Sequence, residues 1–332
     1  MKAVEKTVGV TDYVKPPFDV ESSALPSGWR VRGLELASGC PDDSERMKDL
    51  AAILVWHADV SRAFVEQLRT CEIIVRYGVG YDNVDLAAVS EAGIAFSNTP
   101  DYGTEEVADT TAAMILNHVR RVTEYDEKAR HFTKGWQENT LSPLVRTSRR
   151  TLGIIGMGRI GTSVVRRMRP FGFRVLGYDP YVPSGHEKAL GYDRAQSLYE
   201  LLSESDVVSL HCPANEETRG IVNEEFVQAM RPGAILVNTA RGSLIDSLDP
   251  VYKGLQEGHL SAVGLDVLPN EPPEKHPLIE AWKSGDSWLL GRLTVTPHTA
   301  YYSESAWYEM RYKAAETVRL FFERGVVRNR VC

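Results

Sequence analysis

The chain has 332 residues, 43% of them hydrophobic and 25% charged, which leaves room for two globular cores, and its formal net charge is -7. That acidic balance argues against a nucleic-acid binder, whose surface carries a basic field, and short clusters such as Arg149-Arg150 and Arg166-Arg167 read as solvated surface. No run reaches the roughly 18 apolar residues of a membrane helix, and the scattered Cys40, Cys71, Cys212 and Cys332 suit neither a disulfide scaffold nor a zinc knuckle.

The opening "MKAVEKTVGVTDYV" lacks the apolar core of a signal peptide, so a cytoplasmic protein with reduced thiols is expected. "WRVRGLEL", "AAILVW" and "EIIVRYG" then read as strands, followed by "AGIAFSNTP" at about 92–100. Between them, "SRAFVEQLRT" and "VDLAAVSEAG" carry helical patterns, the second closing on a glycine. Strands alternating with helices imply crossovers and a parallel sheet. A long helix is predicted over "TEEVADTTAAMILNHVRRVTEYDEKARHF", with Thr104 as its cap and Glu105 and Glu106 at its positive end. His118 inside it reads as a packing residue. The polar "TKGWQENTLSPLVRTSRR", 133–150, reads as irregular.

A second strand–helix series begins at 151, runs through "RVLGYD", "VVSLHCP", "AILVNTARG" and "AVGLDV", and closes at "LTVTPH". A last amphipathic helix, about 303–324, puts Trp307, Met310, Ala314, Val318 and Phe321 on one face. Because it follows the end of the second series, it packs most simply on the first unit, which makes that unit discontinuous.

In "TLGIIGMGRIG", 151–161, Gly156, Gly158 and Gly161 follow a strand-like run and open a helical one. A lone glycine pattern is weak evidence; this context strengthens it. The first glycine permits a tight turn, the second lets backbone approach a pyrophosphate, and the third lets helix and strand pack closely. The helix N-terminus offers unpaired N–H groups to the phosphates. Asp179 ends the next strand, about 18 residues on, where an acid accepts hydrogen bonds from ribose hydroxyls and repels a 2′-phosphate. NAD is therefore the expected cofactor, with S-adenosylmethionine in a methyltransferase as the rival ligand.

Three polar side chains end later strands: Arg241 after "AILVNTARG", Glu271 in "AVGLDVLPNEP", and His298 in "LTVTPH". Ligands of open α/β sheets bind outside the carboxyl ends of strands. Reduction of a 2-keto acid needs a guanidinium to hold the carboxylate by two parallel hydrogen bonds. It also needs a proton donor for the ketone oxygen and a carboxylate to orient that donor. Arg241, His298 and Glu271 suit these roles in that order, and a methyltransferase needs none of them. No H-x-x-H or H-E-x-x-H pair offers a metal site, and no G-x-S-x-G offers a serine nucleophile.

"LGIIGMGRIG", "YDP", "LHCP", "NTARG", "LDV…EP" and "TPH" together resemble the D-isomer-specific 2-hydroxyacid dehydrogenases over about residues 50–325. "IIVRYGVGYDN", "FGFRVLGYDPY" and "TPHTAYYSE" resemble most the branch that contains the C-terminal-binding-protein corepressors. The resemblance implies an α/β protein of two Rossmann-like or flavodoxin-like domains with parallel sheets, the formate/glycerate dehydrogenase-like architecture. The NAD domain would span 104–298 and the substrate domain 1–103 with 299–332, with a cleft that closes on NADH and substrate. It implies a homodimer joined through the NAD domain, partly by the helix from Thr104 and the polar segment after it, in which Trp136 lies.

Arg241, Glu271 and His298 match the family's catalytic residues. Asp266 falls where a carboxylate meets the nicotinamide amide, Arg159 and Ile160 fall at the pyrophosphate loop, and Thr111 falls near the cofactor. The turn "YGVGYDN" would offer the N–H groups of Val79 and Gly80 to the substrate carboxylate, with Arg76 as a second arginine. Tyr301 stands where the corepressors carry tryptophan, which implies a different substrate side chain. The stretch "PPEKHPLIEAWKSGDSWLLGRL" is longer than in most relatives and would cover the cleft mouth or decorate the surface. The expected activity is NAD-dependent interconversion of a small 2-keto acid and a D-2-hydroxy acid, without nucleic-acid or membrane partners. The alternative is an NADH-responsive corepressor-like scaffold with residual chemistry; the corepressors' extended tail is lacking after Cys332, which favours the enzyme.

Overall fold

The computed structural model describes residues 5–36, 44–132, 135–137, 140–141 and 143–332. Cys40 and parts of the 133–150 segment lie outside the described residues. The chain divides into two compact units, Met1–Gly103 with Tyr302–Cys332, and Thr104–Tyr301.

The first unit holds five parallel strands: β1 (Thr7–Val10), β2 (Arg30–Gly33), β3 (Leu50–Val55), β4 (Ile73–Arg76) and β5 (Ala95–Asn98). Their order is β2-β1-β3-β4-β5. β1, "TVGV", is a strand that the sequence pattern did not announce: four residues show too little alternation to stand out. Every residue of β3 is buried, as expected of a central parallel strand covered on both faces.

The terminal helix Glu304–Arg324 belongs to this unit, with Met310, Ala314 and Val318 fully buried. Ser303 caps its start by accepting from the Ala306 N–H at 2.9 Å, and Gly325, at φ 66°, ends it. Beneath the helix, Arg311 donates to both oxygens of the fully buried Glu21, at 2.7 and 2.6 Å. The Tyr77 hydroxyl donates to the same carboxylate at 2.9 Å. Burial, with the Glu21 charge beside it, holds that phenol well above its usual range. Removing one partner of such a buried pair costs roughly 3–5 kcal/mol, so this cluster locks helix and sheet together.

The second unit holds seven parallel strands: β6 (Thr151–Ile155), β7 (Arg174–Tyr178), β8 (Asp193–Arg194), β9 (Val207–Leu210), β10 (Ala234–Asn238), β11 (Leu260–Leu265) and β12 (Leu293–Val295). Their order is β12-β11-β10-β9-β6-β7-β8, with helices on both faces. Successive residues of β10 enter opposite cores: Ala234 and Leu236 pack with Val227 and Leu255, Ile235 and Val237 with Ile115 and Val165. The chain order of the strands reverses between β9 and β6, which opens the crevice where such sheets bind dinucleotides.

One expectation needs correction. The long helix is two, Thr104–Arg120 and Val122–Arg130, and the first begins at Thr104 itself rather than being capped by it. Arg121 between them is left-handed, at φ 54°, and its guanidinium pairs with Glu124 through two 2.7 Å bonds. The Asn117 side chain accepts the Thr123 N–H and hydroxyl, which starts the second helix on a new axis. The second unit runs to Tyr301, with Asp266 binding the amides of Thr299 and Ala300 and the Ala300 carbonyl accepting from Thr110. The stretch after Glu271 is exposed over much of its length. Its helix Pro277–Ser284 buries Leu278 and Ile279, and Leu289 follows them into the same cluster.

His118 lies on the helix Thr104–Arg120, 3% exposed, with Nδ1 3.3 Å from the Gly291 carbonyl and Nε2 without a partner. Burial pushes its pKa down to about 4. The folded state therefore refuses a proton that the unfolded chain accepts below pH 6.5. Stability should be fully present above pH 6.5 and fall, through this residue, by about 1.4 kcal/mol per pH unit between 6.5 and 4. In His118→Gln, urea unfolding across that range should show a shallower pH slope; an identical slope would clear His118 of the effect.

Candidate active site

The carboxyl ends of neighbouring strands in the second unit carry the polar side chains that the sequence singled out. Arg241 follows β10, Asp266 and Glu271 follow β11, and His298 follows β12. The imidazole Nδ1 of His298 lies 2.7 Å from Glu271 Oε2. The other Glu271 oxygen accepts the Leu268 N–H at 2.9 Å. Burial works against the charge of Glu271, but His298, that N–H and the nearby Arg241 together outweigh it and hold the carboxyl below its usual range. His298 itself sits at φ 54°, in the left-handed region that a non-glycine residue occupies only when its surroundings over-determine it.

Asp266 is what over-determines it. This carboxylate, 2% exposed, accepts from the Thr296 hydroxyl at 2.6 Å and from the N–H groups of Thr299 and Ala300 at 2.9 and 3.0 Å. Its carbonyl accepts the His298 N–H at 2.8 Å. The sequence had suggested a cofactor contact for Asp266; the structure adds the anchoring of the histidine turn.

Arg241 is half-buried, and its guanidinium donates to the Ala240 carbonyl at 2.7 Å. Gly242 brings its loop against the one that holds Glu271: a β-carbon there would sit 1.7 Å from the Leu268 carbonyl oxygen. Thr111 has no exposed surface, and its hydroxyl bonds the Thr239 hydroxyl at 2.8 Å, two residues before Arg241. This bond ties Thr111 to the turn that carries Arg241.

The glycine loop follows β6. Gly156 takes φ 91°, and a β-carbon on it would lie 2.5 Å from the Cys212 nitrogen. One on Gly161 would lie 2.0 Å from the Gly156 oxygen, whereas one on Gly158 would meet nothing within 4 Å. Gly156 and Gly161 are thus demanded by the protein's own packing, and Gly158 leaves an open approach. The helix Arg159–Met168 starts here, and the N–H groups of Arg159 and Ile160 have no partner among the described residues. Asp179, half-buried at the end of β7, accepts the Met157 N–H at 2.8 Å and the Tyr181 N–H at 2.9 Å, which draws the acid to the glycine turn. An open cradle, unpaired N–H groups and an adjacent acid fit the pyrophosphate and ribose of a dinucleotide.

Sequence reasoning did not pick out His211, at the end of β9. Its Nε2 lies 2.9 Å from the Ser209 hydroxyl, and Nδ1 has no partner. Desolvation pushes its pKa down to about 3, so the ring beside the glycine turn stays neutral. The "LHCP" run was the available signal. No group of three or more His, Cys, Asp or Glu among the described residues is arranged to hold a metal ion.

Arg76, Val79 and Gly80 lie in the first unit, at the carboxyl end of β4. The Arg76 guanidinium lies 5.2 Å from the Trp56 ring centroid and donates to the Tyr77 carbonyl. Gly78 takes φ 122°, a backbone conformation that a residue with a side chain rarely adopts. Thr99 and Asn98 brace the turn by bonding the Gly78 N–H and the Val79 carbonyl, at 2.9 and 2.6 Å. The N–H groups of Val79 and Gly80 have no partner among the described residues. Tyr301 is half-buried at the end of the second unit.

Residues 112–300 match the family model of the NAD-binding domain of D-isomer-specific 2-hydroxyacid dehydrogenases. The chain belongs to that family. It is 39% identical over 292 residues, 85% of this chain and 82% of that protein, to a glyoxylate reductase of Korarchaeum cryptofilum. Its fold is similar to that of a D-lactate dehydrogenase from Aquifex aeolicus solved with NAD and lactic acid (TM-score 0.80, 29% identity, 98% of both chains). It is also similar to an NADPH-dependent glyoxylate/hydroxypyruvate reductase from Sinorhizobium meliloti solved with NADP and malonate (TM-score 0.83, 27% identity, 99% of this chain and 97% of that one). The chain is thus an NAD-dependent oxidoreductase of the D-2-hydroxyacid dehydrogenase type. These relatives are enzymes, and none of them points to the corepressor branch. No helix among the described residues is long and apolar enough to cross a membrane.

The glycines separate folding from binding. Gly156→Ala and Gly161→Ala should each lower unfolding stability by about 1 kcal/mol or more, through backbone clashes. Gly158→Ala should change stability by less than about 0.5 kcal/mol yet weaken NADH binding, measured by fluorescence titration. Equal affinity in Gly158→Ala and the parent protein would remove that residue from the cofactor site.

Proposed function

We propose that the protein reduces a small 2-keto acid to the D-2-hydroxy acid, with His298 as the proton donor. The observation that carries this reading is the 2.7 Å pairing of His298 Nδ1 with Glu271, one strand from Arg241. With Nδ1 held by a carboxylate, the proton for the substrate sits on Nε2. NADH, when bound, supplies the hydride that reaches the keto carbon. Arg241 holds the substrate carboxylate by paired hydrogen bonds. His298 passes its Nε2 proton to the ketone oxygen, so the hydroxyl forms without a free alkoxide. Glu271 orients the ring and stabilises its positive charge before transfer. In the oxidative direction neutral His298 accepts the proton back.

Gly156, Gly158, Arg159, Ile160 and Gly161 are assigned to the pyrophosphate and Asp179 to the ribose. Asp266 is assigned to the nicotinamide side as well as to the histidine turn. In the first unit Arg76 and the Val79 and Gly80 amides are assigned to substrate binding; the N–H groups of Val79 and Gly80, without partners among the described residues, suit an anion. Tyr301 is assigned to the substrate side-chain pocket. The names of the relatives favour glyoxylate-sized acids as the first candidates.

A panel of 2-keto acids graded by size and charge, followed by NADH oxidation, tests the reading; turnover near one per second or faster is expected for at least one of them. His298→Gln should lower kcat roughly a hundred- to ten-thousandfold with NADH affinity nearly intact. Loss of NADH affinity in that variant, or no turnover across the panel, would overturn the assignment.

We infer also that two copies associate through the second unit. Phe132 and Trp136, packed edge to face at 4.8 Å, are 54% and 63% exposed, and so large an apolar pair in water marks an interface. Trp136→Asp should shift the light-scattering mass from dimer toward monomer; an unchanged mass would place the interface elsewhere.

A further inference from the structure

In the second unit, β6 lies between β9 and β7. Tyr181 stands just beyond β7, and Glu217 lies in the loop beyond β9. The Tyr181 hydroxyl donates to the Glu217 carboxylate. This contact therefore runs from one neighbour of β6 to the other and arches over the end of β6, where the glycine loop begins. Both ends are fixed to that loop. The Tyr181 N–H donates to Asp179, whose other oxygen accepts the Met157 N–H. On the β9 side, Cys212 abuts Gly156 so closely that a β-carbon there would sit 2.5 Å from its nitrogen.

The loop that carries Glu217 is a stiff turn. The Asn215 side chain accepts the N–H groups of Glu217 and Thr218 at 3.0 and 3.1 Å, and the Thr218 hydroxyl donates to the Pro213 carbonyl at 2.6 Å. Tyr181 is nevertheless 73% exposed, so the core does not require the arch. The arginine that reaches the Asp179 turn, Arg194, is committed to the carbonyls of Asp179, Val182 and Pro183 and lies 3.8 Å from Glu187.

We propose that Tyr181 and Glu217 close the adenosine end of the NAD site, and that the Glu217 carboxylate, held there by the Tyr181 hydroxyl, is a second acid beside Asp179 that keeps a 2′-phosphate out. A phosphate at the ribose 2′ position would meet two carboxylates instead of one, and like charges at such range repel. The Tyr181 phenol is raised above its usual range, chiefly by its hydrogen bond to Glu217, so the tether remains a donor throughout the working pH range. The inference rests on the ribose lying at Asp179, and not on which keto acid is reduced.

The test is binding rather than turnover. Dissociation constants for NADH, by fluorescence titration, and for NADPH, by competition with NADH, would be measured on the full chain and on Glu217→Gln, Tyr181→Phe and Asp179→Ala. In Glu217→Gln and in Tyr181→Phe the NADPH:NADH dissociation-constant ratio should fall roughly three- to tenfold, the effect of one partly screened charge near a phosphate. A ratio within about twofold of the parent in either variant would overturn the proposal. Asp179→Ala keeps the two failures apart: if NADH affinity survives that change, the ribose is placed wrongly; if it drops while the other variants keep the parent ratio, only the arch is wrong.

Discussion

The Asp266 carboxylate accepts a hydroxyl and two backbone amides from the chain that runs past the end of β12, and its carbonyl takes a third amide, that of His298. A buried carboxylate is tolerable only when its oxygens are well supplied with donors; here the supply comes from the turn that carries the histidine. The two requirements solve each other. Satisfying Asp266 forces residues 296–300 into one path, and that path holds His298 in the left-handed conformation that it would otherwise avoid. The imidazole then meets Glu271 on a loop that leaves the same strand as Asp266. Relative placement of histidine and glutamate is thus decided by one strand end, with few rotatable bonds between them.

A parallel sheet makes such an arrangement repeatable. Each crossover returns the chain to the same edge, so a residue placed just after any strand shares that edge with residues placed after its neighbours. β10, β11 and β12 use this for Arg241, Asp266, Glu271 and His298. β6, β7 and β9 use it for the glycine loop, Asp179 and the turn that carries Glu217. The close approach of Gly242 to Leu268 links the arginine loop to the glutamate loop in the way that Gly156 and Cys212 link two loops of the cofactor half. In both places the missing side chain serves packing between loops rather than flexibility.

This division explains what could be read in the sequence. Glycines clashing with their own fold leave a pattern in fixed spacing, so "GMGRIG" and Asp179 were visible. Arg241, Glu271 and His298 were visible because strand ends can be located by apolar runs. The bracing was not visible. Nothing local says that Asp266 binds Thr299 and Ala300, that Thr111 supports Thr239, or that His211 sits neutral beside the glycine turn. Those are contacts between segments brought together by the sheet. β1 and β8, with four and two residues, were too short for periodicity to register. The break at Arg121 went unseen because both flanking helices favour helix; the cause is a side-chain cap from Asn117 and the chain at Gly291, where a β-carbon would lie 2.6 Å from that of Glu124.

The stretch after Glu271 ties largely exposed chain to the core at a few points. Its two ends are pinned, at Glu271 by the Leu268 N–H and at Arg292 by four carbonyls, those of Leu255, Leu260, Ser261 and Trp288. Between these pins His276 caps the helix Pro277–Ser284 by accepting the Leu278 N–H and pairs with Asp249. Leu278, Ile279 and Leu289 are delivered to the same core as β11. These three side chains pack on the face of the sheet away from Thr104–Arg120, and β12 enters the sheet in register. Ordering this chain costs conformational entropy, and the burial of Leu278, Ile279 and Leu289 works against that cost.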